Sequence, residues 1–397
     1  MTSQSLSPPL APATASLWAA FGLGLAVAVG NGLARFSYAL LLPAMQDDLA
    51  WTYTQAGWLN TANALGYVVG AASGYLLLRR FRPAQLFSAG LWLTVGSLLI
   101  TGLSADLLWL TATRIASGIG AAWGFSCGGA LIAARYRDTP QLMGTATGLF
   151  FAGAGIGIAA AGVAVNPLLA ATGAQGWPWA WLLLGVLAAA FSIWPLAEAR
   201  RGRGGATDTA APGPLRLGGL VAPLASYLLF AAGYIVYMTF ILAWMRDEGW
   251  SWGVSTLVWL VLATAVGLSP FAWRRALEGW SPRTTLAASC AACLAGTGVL
   301  LVSSGAAALV VSATVFGLGV FIAPASVALL VRRTMAPNDL AQGMTFFTVL
   351  FAIGQAVGPV AAGWIGDRGD LGDSLAFGAA LLCLAAALPL LGAKRRA

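Results

Sequence analysis

Twelve apolar runs, most of them about twenty residues or longer, follow one another between residues 17 and 392 with only short polar breaks. A helix of about 20 residues crosses the hydrocarbon core of a bilayer. In lipid every backbone N–H and C=O must be satisfied internally, which an α-helix achieves within one segment. The spacing predicts helices over 17–43, 54–78, 84–103, 106–134, 140–166 and 178–197, then over 218–245, 252–273, 283–303, 305–331, 340–365 and 374–392. Hydrophobic residues make up 59% of the chain and charged residues 9%, whereas a soluble domain is about a quarter charged. There is too little polar surface to face water, so the bilayer must be the chain's main neighbour.

Lys and Arg fix the expected orientation, because cytoplasmic loops carry the excess. With the N-terminus inside, the inner loops and tail hold seventeen: Arg79, Arg80, Arg82, Arg135, Arg137, Arg200, Arg201, Arg203, Arg216, Arg274, Arg275, Arg283, Arg332, Arg333, Lys394, Arg395 and Arg396. The outer loops hold two, Arg246 and Arg368, and the spans hold Arg35 and Arg114. The net charge of +8 is thereby topological and does not point to nucleic acid. The expected organisation is a disordered cytoplasmic lead-in over 1–16, a six-helix bundle over 17–197, a basic cytoplasmic linker over 198–217, a second bundle over 218–392 and a basic tail over 393–397. Such a chain belongs in a bacterial-type inner membrane with both termini cytoplasmic.

Several chemistries are excluded or disfavoured. The chain has no histidine, which removes the commonest metal ligand and general base. Cys290 and Cys293 are spaced CxxC, but their neighbours are apolar and no second ligand pair exists, so they read as buried small side chains. No Walker loop is present. No cofactor and no catalytic cluster are implied, and an enzyme is not expected.

Shifting the chain by 199 residues superposes Gly118 and Gly120 on Gly317 and Gly319, Gly144 on Gly343, Gly155 on Gly354, Tyr38 on Tyr237 and Trp51 on Trp250. One constant offset across six helices indicates two six-helix pseudo-repeats, the parallel-repeat plan of transporters that rock about a central site. Small residues three or four apart, as in Gly148, Ala152, Gly155 and Ala159, allow close helix approach.

The run Arg114-Ile-Ala-Ser-Gly118-Ile-Gly120 resembles the fourth-helix signature of the major facilitator superfamily. Asn31-Gly-Leu-Ala-Arg35-Phe-Ser-Tyr38 through Pro43, Asn60-Thr-Ala-Asn63-Ala-Leu-Gly66-Tyr67 and Gly354-Gln355-Ala-Val-Gly358-Pro359 resemble its YbfB/YjiJ-like members. The resemblance implies an all-α, twelve-helix facilitator fold and solute transport. One departure stands out: the loop after helix 2, where the superfamily carries Asp in a GxLxDRxGR pattern, has Leu78 at that place. A GxxxDRG stretch, Gly363 to Gly369, occurs after helix 11 instead.

A charged side chain in the hydrocarbon costs roughly 3 kcal/mol and marks function by default. Arg35 and Arg114 are predicted at similar depth, and in the resembling fold helices 1 and 4 line the central cavity. Asn31, Arg35 and Tyr38 follow at i, i+4, i+7, one helical stripe; Asn60, Asn63 and Tyr67 form a second. Under the 199-residue shift Arg35 maps to Tyr234, with Tyr237 nearby, and Gln355 is a polar residue inside helix 11. These ten residues are the candidate substrate-binding set. For Arg114 a structural tie to carbonyls of helix 1 is the competing reading, for Arg35 snorkelling to the surface, and for the Asn pair interhelical hydrogen bonding. With no Asp or Glu deep in a span, a buried guanidinium calls for an anion, so the expected solute is a small organic anion, a carboxylate, carried by a monomer. Export of neutral or cationic compounds is the alternative. A coupling proton would enter with the substrate or through Asp47, Asp48 or Asp106, and uniport or exchange is equally open.

Overall fold

The computed structural model describes residues 16–201, 220–335 and 340–391. The lead-in over 1–15, most of the linker and the basic tail lie outside the described residues, together with Arg203, Arg216, Lys394, Arg395 and Arg396. Twelve long helical segments are present among the described residues: α1 Leu17–Leu49, α2 Tyr53–Leu77, α3 Pro83–Thr101, α4 Leu107–Arg135, α5 Pro140–Thr172, α6 Trp177–Arg201, α7 Val221–Asp247, α8 Trp252–Ala272, α9 Pro282–Val302, α10 Ala306–Thr334, α11 Leu340–Gly366 and α12 Leu371–Leu391. Eleven are long and apolar enough to cross a membrane; α2 falls short on hydropathy. Its polar residues face protein rather than lipid, because α2 is packed between α4 and α11.

Most predicted ends hold within a few residues. Pro43 and Pro167 do not end α1 and α5, which continue to Leu49 and Thr172; proline is tolerated inside packed spans, where neighbours take up the freed backbone groups. At the other extreme α6 continues through Glu198 to Arg201 instead of yielding to linker. Glu198 is buried, and Arg135 at 3.0 Å and Arg201 at 2.9 Å neutralise it. Trp177 is buried and its indole N–H donates to Asp48.

The repeat is visible in contacts as well as letters. A Cβ on Gly118 would strike the Asn63 carbonyl, and a Cβ on Gly317 would meet the carbonyl of Leu262, 199 residues further on. Gly120 meets the Gly90 carbonyl and Gly319 that of Ser289, again 199 apart. The α1–α2 turn repeats too. Ala50 and Gly249 both take a left-handed φ, at 51° and 78°, and Trp51 and Trp250 donate back to the Gln46 and Met245 carbonyls.

The first six helices meet the second six along α2 and α11, along α5 and α8, and where the last part of α1, residues 38–49, packs on α7. At the Asp47 end of the bundle the ties are polar. Asp47 pairs with Arg246, the Tyr53 hydroxyl donates to Asp247 at 2.6 Å, and Asp367 accepts from the Tyr53 and Thr54 backbone N–H groups and the Thr54 hydroxyl. The carboxylate of the GxxxDRG stretch thus caps the N-terminus of α2 from the opposite half, where the helix dipole favours negative charge.

Candidate functional site

Between Ala28 and Phe36 α1 is a π-helix, a wide turn frequent at functional sites. The Ser37 N–H reaches back five residues to the Gly32 carbonyl, which shifts the register of everything after it. This breaks the stripe expected for Asn31, Arg35 and Tyr38. Arg35 points toward the second half, and Tyr38 turns toward α2 and α6, where its hydroxyl donates to the Ala56 carbonyl at 2.7 Å and its ring stacks on Trp181. Tyr38 is fully buried there, away from Gln355 and Tyr234.

The two arginines separate into different roles. Arg114 donates from Nη1 to the Ala34 carbonyl, at the edge of the π segment, and from Nε to the Leu59 carbonyl at 3.4 Å. Its guanidinium carbon lies 5.3 Å from the ring centroids of both Tyr38 and Trp181. A π-helix leaves carbonyls without their usual partner, and Arg114 supplies one, tying α4 to α1 and α2. Asn63 extends that tie by donating to the Arg114 carbonyl and to Ser117 on α4.

Arg35 is 4% exposed, too buried to snorkel. Its Nη2 donates to Gln355 Oε1 at 2.6 Å, and Gln355 Nε2 donates to the Tyr234 hydroxyl. The Tyr67 ring lies 5.5 Å from the guanidinium carbon, within cation–π range. Arg35 Nε has no partner, and neither arginine forms an ion pair among the described residues. Behind Tyr234 is an aromatic wall: Phe230 stacks on it at 5.0 Å, and Phe351 stacks on Tyr234 at 5.7 Å and on Tyr227 at 4.7 Å. Of the ten candidates, Arg35, Tyr67, Tyr234 and Gln355 are brought together. Asn60 donates across the halves to Thr239 and leaves Oδ1 unpartnered. Asn31 is buried on the same π segment as Arg35. Tyr237 is elsewhere, bonded to Ser312 at 2.9 Å and stacked on Phe316.

The expected proton carriers are all engaged near the Asp47 end or in helix capping: Asp47 with Arg246, Asp48 with Trp177, and Asp106 as acceptor from the Trp109 N–H. The sequence reading missed Phe230, which stacks on Tyr234 one turn away on α7 and was readable at i, i+4, and Phe351, whose stacking on Tyr234 joins α11 to α7 and has no local signal. Cys290 and Cys293 are buried free thiols.

Family matching covers residues 13–390 with the family described as "Uncharacterised MFS-type transporter YbfB". The chain belongs to that family. It is a major facilitator transporter with a small-molecule substrate, not an enzyme. No curated protein matches it significantly. Among solved structures, a mutant of the nucleoside transporter NupG superposes with TM-score 0.72 at 13% identity, covering 95% of this chain and 100% of that one. A bacterial homologue of the human lysosomal transporter Spinster, inward-facing and occupied, gives 0.71 at 17% identity, covering 96% and 97%. At such identities the likeness is one of fold, and the transporter's own residues must supply the substrate chemistry.

Proposed function

We propose that this transporter carries a small organic anion with a single carboxylate and an apolar or aromatic body, by alternating access between the halves 17–197 and 218–392. The observation that carries the reading is Arg35: a buried guanidinium with no carboxylate partner among the described residues, one N–H unsatisfied, and aromatic rings beside it. A buried unpaired cation is costly, and a carboxylate answers it with a bidentate, charge-assisted pair. Arg114 also keeps one unpartnered N–H, on Nη2, but its Nη1 and Nε are held by carbonyls and Tyr38 and Trp181 cover it. Arg35 is therefore the charge left to the solute, which favours a monoanion over a dianion. Tyr67 and the Tyr234–Phe351 wall suit an apolar body. The solute path lies within one chain, so a monomer suffices.

In this reading the Ser16 end faces the cytoplasm of a bacterial-type inner membrane, supported by the Arg-rich loops beside Arg79, Arg135, Arg274 and Arg332. Closure by Asp47–Arg246 and Asp367 is then closure on the outside.

Counterflow in proteoliposomes tests the reading with acetate, benzoate, succinate and, as a neutral control, uridine, at two pH values. Monocarboxylate flux is expected in wild type, falling roughly 100-fold in Arg35→Ala, the loss of a charge-assisted pair. A difference between the pH values reports a coupled proton. Flux of uridine alone, or monocarboxylate flux untouched by Arg35→Ala, overturns the anion assignment.

A further inference from the structure

We propose that Gln355 occupies the place of the substrate's carboxylate: in the substrate-free protein its amide acts as an internal stand-in, which the anion displaces from Arg35. The inference rests on the anion reading above and specifies how that site is regulated.

Three observations carry it. First, Gln355 Oε1 is the side-chain oxygen bonded to the buried Arg35, at 2.6 Å from Nη2. Second, Nε and Nη2 lie along one edge of the guanidinium, and Nε is without a partner. An amide offers that edge one oxygen. A carboxylate offers two, the fork geometry for which this edge is built. Exchange therefore replaces one bond to a neutral acceptor with two to an ionised one and satisfies a stranded donor. Third, Gln355 is 1% exposed and its other end donates to the Tyr234 hydroxyl. The amide plane thus fills a position between a cation of the first half and a hydroxyl of the second, with both ends held. A planar carboxylate has the same size and can use the same two partners.

The exchange has a mechanical consequence. The Arg35–Gln355 bond joins residues 320 apart and ties α1 to α11 at the level of Tyr234. A substrate that takes Arg35 releases Gln355, so binding itself breaks this α1–α11 tie and leaves the halves joined there through the substrate alone. A ligand can shift a conformational equilibrium only through contacts that differ between states, and this bond is such a contact.

Benzoate binding to purified protein, measured by calorimetry, supplies the test, with acetate as a second probe. Removing the competitor in Gln355→Ala is expected to tighten binding about tenfold, the worth of one hydrogen bond to a charged group. Gln355→Glu installs a permanent carboxylate opposite Arg35 and is expected to abolish binding, while the thermal melt of the detergent-solubilised variant shows that it is folded. Gln355→Leu keeps the test open should the Ala variant pack badly; it too is expected to bind tighter. Unchanged benzoate affinity in Gln355→Glu, or weaker binding in both Gln355→Ala and Gln355→Leu, overturns the stand-in while leaving the anion site in place. Wild-type protein that binds neither carboxylate, or binds them equally after Arg35→Gln, overturns the anion site and the stand-in together.

Discussion

Arg35 and Tyr234 stand 199 residues apart, at matching positions of the two repeats, and both bond to the one side chain of Gln355. Equivalent places in the two halves have thus diverged into a cation and a phenol that share a single amide. The symmetry of the scaffold is kept by glycines, and its chemistry is broken at the positions that face each other.

Arg114 is expected to matter for stability rather than for solute. Arg114→Leu takes the side-chain donor from the Ala34 carbonyl and a second donor from the mid-helix Leu59 carbonyl, a loss of about 1–3 kcal/mol in all. The melting temperature in detergent is expected to fall clearly. Benzoate affinity per folded molecule is expected to stay within a few-fold of wild type, and a selective loss of binding in a fully stable variant would assign Arg114 to the ligand.

Ala50 holds a left-handed conformation that its counterpart Gly249 adopts freely. A Cβ in that region costs roughly 1 kcal/mol. Ala50→Gly is therefore expected to stabilise the protein by about that amount, and Gly249→Ala to destabilise it similarly, as read from thermal or denaturant melts.

The polar ties at the Asp47 end are unequal. Asp47 and Arg246 are 43% and 42% exposed, and such pairs contribute about 0–1 kcal/mol. Asp367, exposed as well, accepts two backbone N–H groups and a hydroxyl at a helix N-terminus, a capping arrangement that contributes about 0.5–2 kcal/mol. Asp367→Asn is expected to open that end, and Asp47→Asn to leave it nearly closed. Spin-label distances between α1 and α7 near Asp47 and Arg246 would show the contrast, and equal opening in both variants would refute it.

Close helix crossings depend on particular glycines rather than on glycine in general. A Cβ on Gly118 would collide with the Asn63 carbonyl, whereas one on Gly124, on the same helix, meets nothing within 4 Å. Gly118→Ala is expected to cost about 1–3 kcal/mol through overpacking, and Gly124→Ala to be neutral or slightly stabilising. Paired melts decide between this and a general need for small residues.

The spans and the repeat were legible because both are periodic signals: apolar length between breaks, and one constant offset. The roles of Arg35 and Arg114 were not separable by sequence, since both are lone arginines at similar depth. What separates them is the π segment, which turns Tyr38 away from Arg35 and presents the Ala34 carbonyl to Arg114. A one-residue change of register leaves no mark in a hydrophobic pattern. Gln355 was visible as a polar residue in an apolar helix, but its partners lie 320 and 121 residues away. Glu198 was read as linker because charge usually marks a span's end, and its burial depends on Arg135 from another helix.

The low hydropathy of α2 bears on how the chain is made. Asn60 and Thr61 find their partners on Thr239 and Ala356, which leave the ribosome 179 and 295 residues later. Until then these polar groups have no protein to meet on that face, so α2 gains its full stabilisation in the bilayer only when newly synthesised α7 and α11 dock against it. Truncating synthesis before residue 356 would leave this helix the least firmly inserted of those already made.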